Sequence, residues 1–174
     1  MTAGQALAAV LPAIVLAAAC GRDPRIPDQP IAFNHAVHMM LDLEGHKLRC
    51  VDCHAGAERA EHAGLPALRD CLRCHVRPQL GERGVPNERE AQVRKLALAG
   101  PVQWVQITRN PGHVYAPHRA HVGIAKLPCE ECHGDAGAWT APPTEPVQRL
   151  LRMSACIACH RAHGASTWCG ACHR

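Results

Sequence analysis

Aromatic residues are scarce in this chain. Of its 174 residues only 3% are aromatic, with one Phe, one Tyr and three Trp. A chain of this length and composition has little material for an ordinary apolar core, so its own interior should be thin. The formal net charge is +4, but the basic residues are scattered and no aromatics are interleaved with them. Nucleic-acid binding is therefore not supported.

Cysteine, by contrast, is abundant. The chain has 11 Cys, and ten of them form five C-x-x-C pairs that are each followed directly by His. In chain order the motifs are Cys50, Cys53 and His54 (motif 1); Cys71, Cys74 and His75 (motif 2); Cys129, Cys132 and His133 (motif 3); Cys156, Cys159 and His160 (motif 4); and Cys169, Cys172 and His173 (motif 5).

The C-x-x-C-H pattern is the attachment signature of c-type haem. Two thiols form thioether bonds with the vinyl groups of one porphyrin, and the adjacent imidazole supplies the proximal nitrogen of the iron. Zinc ribbons rarely place His directly after every pair, and a thioredoxin-like pair would be single. A disulfide framework gives no reason for the five adjacent His. We therefore expect five covalently bound haem c groups.

These haems determine the expected fold. Five porphyrins would supply the apolar surface that the polypeptide lacks. The predicted class is mainly α and irregular: a small multihaem cytochrome c fold, with short helices and loops wrapped around five haems. The 14 Pro and 14 Gly residues agree with many loops and little sheet. The apoprotein should be largely unfolded, because the haems themselves would form most of the apolar core.

The N-terminal segment predicts export. Residues 1–21 carry no charge, and Leu7 to Ala19 is apolar apart from one Pro. Such a segment is typical of a secretory signal, a lipoprotein signal or a membrane anchor. It ends at Cys20, which lies outside the motifs and is a candidate for lipidation. An uncleaved helix and a cleaved signal are the alternatives. All three place residues 22–174 on the periplasmic side of the bacterial inner membrane.

Residues 22–174 are predicted to form one pentahaem domain of two related halves. The halves cover about 30–76 and 113–174, and a helical linker joins them. In each half an H-x-x-H pair precedes two motifs, and motif 5 is an extra C-terminal site. This repeated spacing suggests an internal duplication.

Two segments outside the motifs have helical signals. Asn87 to Ala99 begins with a potential cap formed by Asn87 and Glu90, and Gly100 stops it. Thr144 to Ser154 is the second candidate. Its apolar residues should lie inward or near the following motif: Val147, Leu150, Leu151 and Met153.

The H-x-x-H pairs are the best candidates for distal iron ligands. This spacing places two imidazoles on nearly the same face of one helical turn, so one pair can reach two neighbouring haems. The predicted distal ligands are His35, His38, His118 and His121. One iron then still needs a sixth ligand.

At this level of detail the chain resembles a known family. The segments that carry the resemblance are Pro30 to His38, Trp104 to Ile107, Val114 to His121, Cys132 to Asp135, and Met153 to Arg161. In this order they are similar to the pentahaem subunit of alternative complex III, a branch of the class III multihaem cytochromes c.

The resemblance implies a membrane-anchored subunit of a quinol-oxidising respiratory or photosynthetic complex. Its partners would be an iron–sulfur/molybdopterin-like subunit, quinol-binding membrane subunits and a monohaem cytochrome c. It also implies that Met153 is the fifth distal ligand. The extra His113 departs from the family pattern and competes for that iron.

Two functional classes follow. In the first, every iron is six-coordinate, and the protein is an electron-transfer subunit rather than an enzyme, relaying electrons towards a cytochrome c or an oxidase. In the second, one haem keeps an open position and reduces a small nitrogen or sulfur oxyanion. Candidate axial residues outnumber the irons, which favours the first class.

Overall fold

The computed structural model describes residues 28–80, 84–85 and 87–174 of the chain. The predicted anchor segment 1–21 and its Cys20 lie outside this range. The described part is mostly helical and irregular. Its single sheet is a two-residue hairpin in which β1 (Asp42–Leu43) pairs antiparallel with β2 (His46–Lys47). The coarse prediction of short helices, loops and little sheet is thus confirmed, whereas haem wrapping stays a prediction.

The α-helices are short, and most of them coincide with a motif or with an H-x-x-H pair. In chain order they are α1 (His35–Met39), α2 (Cys50–Cys53), α3 (Leu68–Cys71), α4 (Glu88–Ala99), α5 (Glu130–His133), α6 (Met153–Ala162) and α7 (Cys169–Cys172). A π-helix covers Arg119–Ile124, and 3-10 turns cover Ala136–Ala138 and Gln148–Leu151. None of the helices in the described part of the chain combines the length and the hydrophobicity that a membrane span needs.

The linker helix α4 forms where the sequence predicts it. The Asn87 side chain caps its N-terminus by accepting hydrogen bonds from the amides of Arg89 and Glu90. The helix ends at Gly100, whose φ of 126° lies in the region that favours glycine. However, the amide of Asn87 donates to the Gln79 carbonyl (3.2 Å). This amide therefore does not bond to the Glu90 carboxylate, which does not complete the expected cap and is available for other contacts.

The second predicted helix, Thr144 to Ser154, is wrong in its bounds. A 3-10 turn covers Gln148–Leu151, Arg152 is extended (φ −107°, ψ 114°), and α6 begins at Met153. Pro146 disfavours helical backbone at Glu145, so a helix that starts at Thr144 is not favoured. Leu151 (39% exposed) and Met153 (60% exposed) do not lie inward, but Met153 begins the helix that carries motif 4 and so lies near the following motif, as expected.

The polypeptide has a small apolar core of its own. Ile31, Leu68 and Val93 form one buried cluster, and Trp104 packs against it. This cluster joins α4 to α3, and α3 leads directly into motif 2. Among the described residues, no side chain is less than 2% exposed. The core therefore holds the linker helix against motif 2 rather than spanning the whole chain.

Candidate functional site

Each motif folds as a single helical turn. In four motifs the His amide donates to the carbonyl of the first Cys, at 2.8–3.0 Å, and motif 4 lies within α6. Residues three and four positions apart share one side of a helix. The two thiols and the imidazole of each motif therefore project from the same side, as attachment to one porphyrin requires.

Acidic side chains fix two of these turns. The Asp52 carboxylate accepts a hydrogen bond from the Arg49 amide (2.8 Å), and Asp70 accepts one from the Ala67 amide (2.9 Å). Both carboxylates satisfy amides that the first helical turn leaves without a partner. Because the bond from Arg49 outweighs the effect of burial, the pKa of Asp52 is below its usual value.

Four of the five motif His residues have a second histidine ring close to them, and the fifth, His54, interacts electrostatically with His35. The ring centres are separated by 6.1 Å between His38 and His75, 6.2 Å between His118 and His133, 6.1 Å between His121 and His160, and 5.5 Å between His113 and His173. His35 lies within electrostatic range of His54. The partner ring comes from an H-x-x-H pair in motifs 1 to 4 and from His113 in motif 5.

This spacing can be compared with that of two imidazoles on one metal ion. For two imidazoles on opposite sides of one metal ion, each side contributes a metal–nitrogen bond of about 2 Å and about 1.1 Å from that nitrogen to the ring centre. The two ring centres are then about 6.2 Å apart. Three pairs match this value, and the His113–His173 pair is about 0.7 Å closer.

The hydrogen bonds of the rings leave one nitrogen available to a metal. The Nδ1 atoms of His38, His54 and His121 lie 2.7–2.9 Å from backbone carbonyls, those of Asn34, Gly64 and Pro117 respectively. His118 and His160 make the same contact, with the carbonyls of Glu61 and Ser166. A carbonyl only accepts, so Nδ1 carries the proton and Nε2 keeps a free lone pair.

Two of the rings are buried enough to favour the neutral form. Burial lowers the pKa of His35, and the neighbouring His54 and His38 lower it further. Burial also lowers the pKa of His133, with His118 and His54 as the next causes. The buried Nδ1 of His35 has no hydrogen-bond partner among the described atoms. Neutral imidazole is the form that binds metals, so these sites suit a ligated iron.

Each H-x-x-H pair is hydrogen-bonded to the other half of the chain. In the second half, the amides of His118 and Arg119 donate to the carbonyls of Glu61 and Ala60, in the loop after motif 1 (2.9 and 2.8 Å). In the first half, the Ala36 amide donates to the Trp139 carbonyl, after motif 3 (3.1 Å). Hydrogen bonds thus run from each half to the other, and they bring motifs 1 and 3 together.

The thiols give the order of the motifs in space. Burial and the adjacent Cys50 thiol raise the pKa of Cys129 to about 11, so motifs 1 and 3 are in contact. Burial also raises the pKa of Cys53, where Cys74 is a further cause, and that of Cys132, where Cys159 is one. Motif 2 therefore adjoins motif 1, and motif 4 adjoins motif 3.

Motif 5 continues this series beyond motif 4. His160 bonds through Nδ1 to the Ser166 carbonyl (2.5 Å), in the short segment between motifs 4 and 5. His173 forms an antiparallel bridge with Val114. On either side of this bridge, the Tyr115 amide donates to Cys172 (2.7 Å) and the Arg174 amide donates to His113 (3.1 Å). The contacts of the thiols thus give the order 2, 1, 3, 4, and motif 5 is connected to motif 4 through the segment 161–168 of the chain.

The predicted site residues can now be placed. His35, His38, His118 and His121 each lie near the His of a different motif. Met153 is 60% exposed at the first position of α6. The ring near His173 is that of His113, which sequence reasoning recognised only as a competitor.

One contributor to the site was missed from the sequence. The Nδ1 of His75 lies 3.1 Å from the carboxylate of Glu90, on the linker helix. Glu90 is only 7% exposed. Burial acts to raise its pKa, but hydrogen bonds from Arg94, the Gln79 amide and His75 outweigh burial and lower it. The spacing from Asn87 predicts only a capping role for Glu90, and its contact with His75 is not predictable from local spacing because it spans 15 residues.

No protein-family model matches this chain, and no curated protein matches it significantly.

The donor set fits haem c better than zinc. Zinc would require four donors to converge, usually thiolates and imidazoles. Among the described residues, one group of three potential donors lies within 4.8 Å, and it consists of Glu131, Cys159 and His163. This group includes Cys159 of motif 4 but not Cys156, the other thiol of the same motif. A pair of thiols on one side of a turn, with a second imidazole beside that of the motif, fits a porphyrin.

Proposed function

We propose that this chain is a pentahaem c-type cytochrome that transfers electrons and has no substrate of its own. The observation that carries the proposal is that four of the five motif His residues have a second His ring 5.5–6.2 Å away, while the fifth, His54, interacts electrostatically with His35. Bound haem would supply a one-electron carrier at each site. The residues would hold both axial positions of the iron, which leaves no position for a substrate.

The ligands of the five proposed sites follow from these contacts. The proximal ligands are His54, His75, His133, His160 and His173, in the order of the motifs. The corresponding distal ligands are His35, His38, His118, His121 and His113. The last assignment replaces Met153, which the family resemblance favours, because the 113–115 and 172–174 segments are hydrogen-bonded together.

The arrangement of the motifs supports a relay. Motifs 2, 1, 3 and 4 adjoin one another in this order, and motif 5 follows motif 4 through a short segment of the chain. The protein matrix keeps the imidazoles oriented through backbone carbonyls, which need no rearrangement when the charge on an iron changes. A chain of closely spaced, coordinatively saturated sites is suited to electron transfer.

The cellular setting is a narrower proposal. From the resemblance we infer a subunit of an alternative complex III-like quinol-oxidising complex, anchored on the periplasmic side of the inner membrane and donating towards a cytochrome c or an oxidase. Its partners would be an iron–sulfur/molybdopterin-like subunit, quinol-binding membrane subunits and a monohaem cytochrome c. Purification from native membranes should recover these subunits with the chain, and recovery of a free soluble monomer would count against the complex.

Carbon monoxide binding tests the function itself. The dithionite-reduced holoprotein should give no carbon monoxide difference spectrum, because all five irons are capped on both sides. Rapid binding to about one haem in five would instead indicate an open iron. The alternative function, reduction of a small nitrogen or sulfur oxyanion, would then replace the relay.

A further inference from the structure

His75 differs from the other paired histidines in its hydrogen-bond partner. Of the six for which the described atoms show an Nδ1 partner, five bond to a backbone carbonyl and His75 bonds to a carboxylate. A carboxylate is a stronger acceptor than a carbonyl because it carries a full negative charge. It therefore makes the imidazole a more basic ligand.

The surroundings hold the Glu90 carboxylate in this position. Its Oε1 accepts from His75 Nδ1 and also from Arg94, one turn further along α4. Its Oε2 accepts from the Gln79 amide at 3.3 Å. The Glu90 side chain is only 6% exposed, so water competes little for these bonds. Three donors on one buried carboxylate form a site with a fixed orientation.

The fold also explains why this residue reaches motif 2. Val93, on the same helix as Glu90, packs in the core cluster with Leu68, which begins the helix that leads into motif 2. The linker helix is thus attached to motif 2 both by the core and by the His75 bond. A connection needed only to join the two halves would not require a buried carboxylate against an imidazole.

We propose that Glu90 is a positioning residue that lowers the reduction potential of the haem carried by motif 2. The proposal rests on the proposed function. A negative charge bonded to the proximal imidazole stabilises the ferric state more than the ferrous state, since the ferric site carries one more positive charge. Arg94 opposes this effect because it shares the same carboxylate oxygen and adds a positive charge.

The test is a spectroelectrochemical titration of the holoprotein. Glu90→Gln keeps the size and an acceptor oxygen but removes the charge. It should raise one of the five midpoint potentials and leave the other four in place. The expected change in the ferrous-to-ferric ratio at fixed potential is about tenfold, the lower end of the effects that hydrogen-bond partners of metal ligands have on metal affinity or activity. For a one-electron couple this corresponds to about 59 mV.

Two further variants make the result decisive. Glu88→Gln removes the same charge from an exposed position in the same helix turn. It should leave all five potentials unchanged because solvent screens it. Arg94→Gln should lower the same single potential that Glu90→Gln raises, and it decides the question if Glu90→Gln fails to mature. Unchanged potentials in both the Glu90 and Arg94 variants would overturn the proposal, as would an equal shift in Glu88→Gln.

The role of Glu90 and the proposed electron-transfer function give different results when they fail. If the unmodified protein carries five haems that do not bind carbon monoxide, but Glu90 and Arg94 have no effect on potentials, the relay stands and the role of Glu90 falls. If the unmodified protein carries no haem, the proposed function itself is wrong.

Discussion

Replacing His113 by Ala tests which residue completes the fifth site. The structure places its ring centre 5.5 Å from that of His173. Met153 is the competing candidate, and it is 60% exposed. The hydrogen bonds that hold His113 near motif 5 come from the backbone, since its carbonyl accepts from the Arg174 amide. Alanine at position 113 therefore removes the ring and keeps the pairing of the two segments.

The expected result is one open iron out of five. Reduced His113→Ala should bind about one carbon monoxide per five haems, because the other four pairs are untouched. Met153→Leu, which removes the sulfur at nearly constant volume and with little cost in stability, should bind none. The assay is a difference spectrum normalised to the haem content. The reasoning is refuted if Met153→Leu opens a site while His113→Ala behaves like the unmodified protein.

Two predictions concern the packing that supports the sites. A Cβ at Gly123 would lie 2.1 Å from the Glu58 carbonyl, in the loop after motif 1, so Gly123→Ala should destabilise the protein by about 1–3 kcal/mol. Gly112→Ala, where nothing lies within 4 Å, is the matched control and should be nearly neutral in the same urea unfolding series. Trp104 donates through its indole nitrogen to the Pro66 carbonyl (2.8 Å) beside the core cluster. Trp104→Phe should cost about 1–2 kcal/mol in urea unfolding, and an unchanged midpoint would contradict a role for this bond.

Local signals predicted part of the structure well. The N-terminus of α4 follows from Asn87 and its C-terminus from Gly100, because caps and glycine act on their immediate neighbours. The interruption at Arg152 was not predictable from hydrophobic spacing. There the apolar residues suggest one continuous helix, whereas the chain forms a 3-10 turn and then a second helix from Met153.

The residues of the site likewise fall into those that could be predicted from the sequence and those that could not. The distal candidates His35, His38, His118 and His121 could be proposed from the sequence because the H-x-x-H spacing repeats beside the motifs. The contact of Glu90 with His75 could not be predicted, since it depends on how α4 packs against motif 2. His113 likewise reaches its partner only because distant segments pair.

The intact mass of the native protein after denaturation tests the central claim most directly. Covalent attachment through ten thiols predicts the mass of the polypeptide plus five haems, with no motif thiol left to alkylate. Thioether bonds survive denaturation, so the added mass must remain. A bare polypeptide mass, with the motif cysteines open to alkylation, would contradict the account.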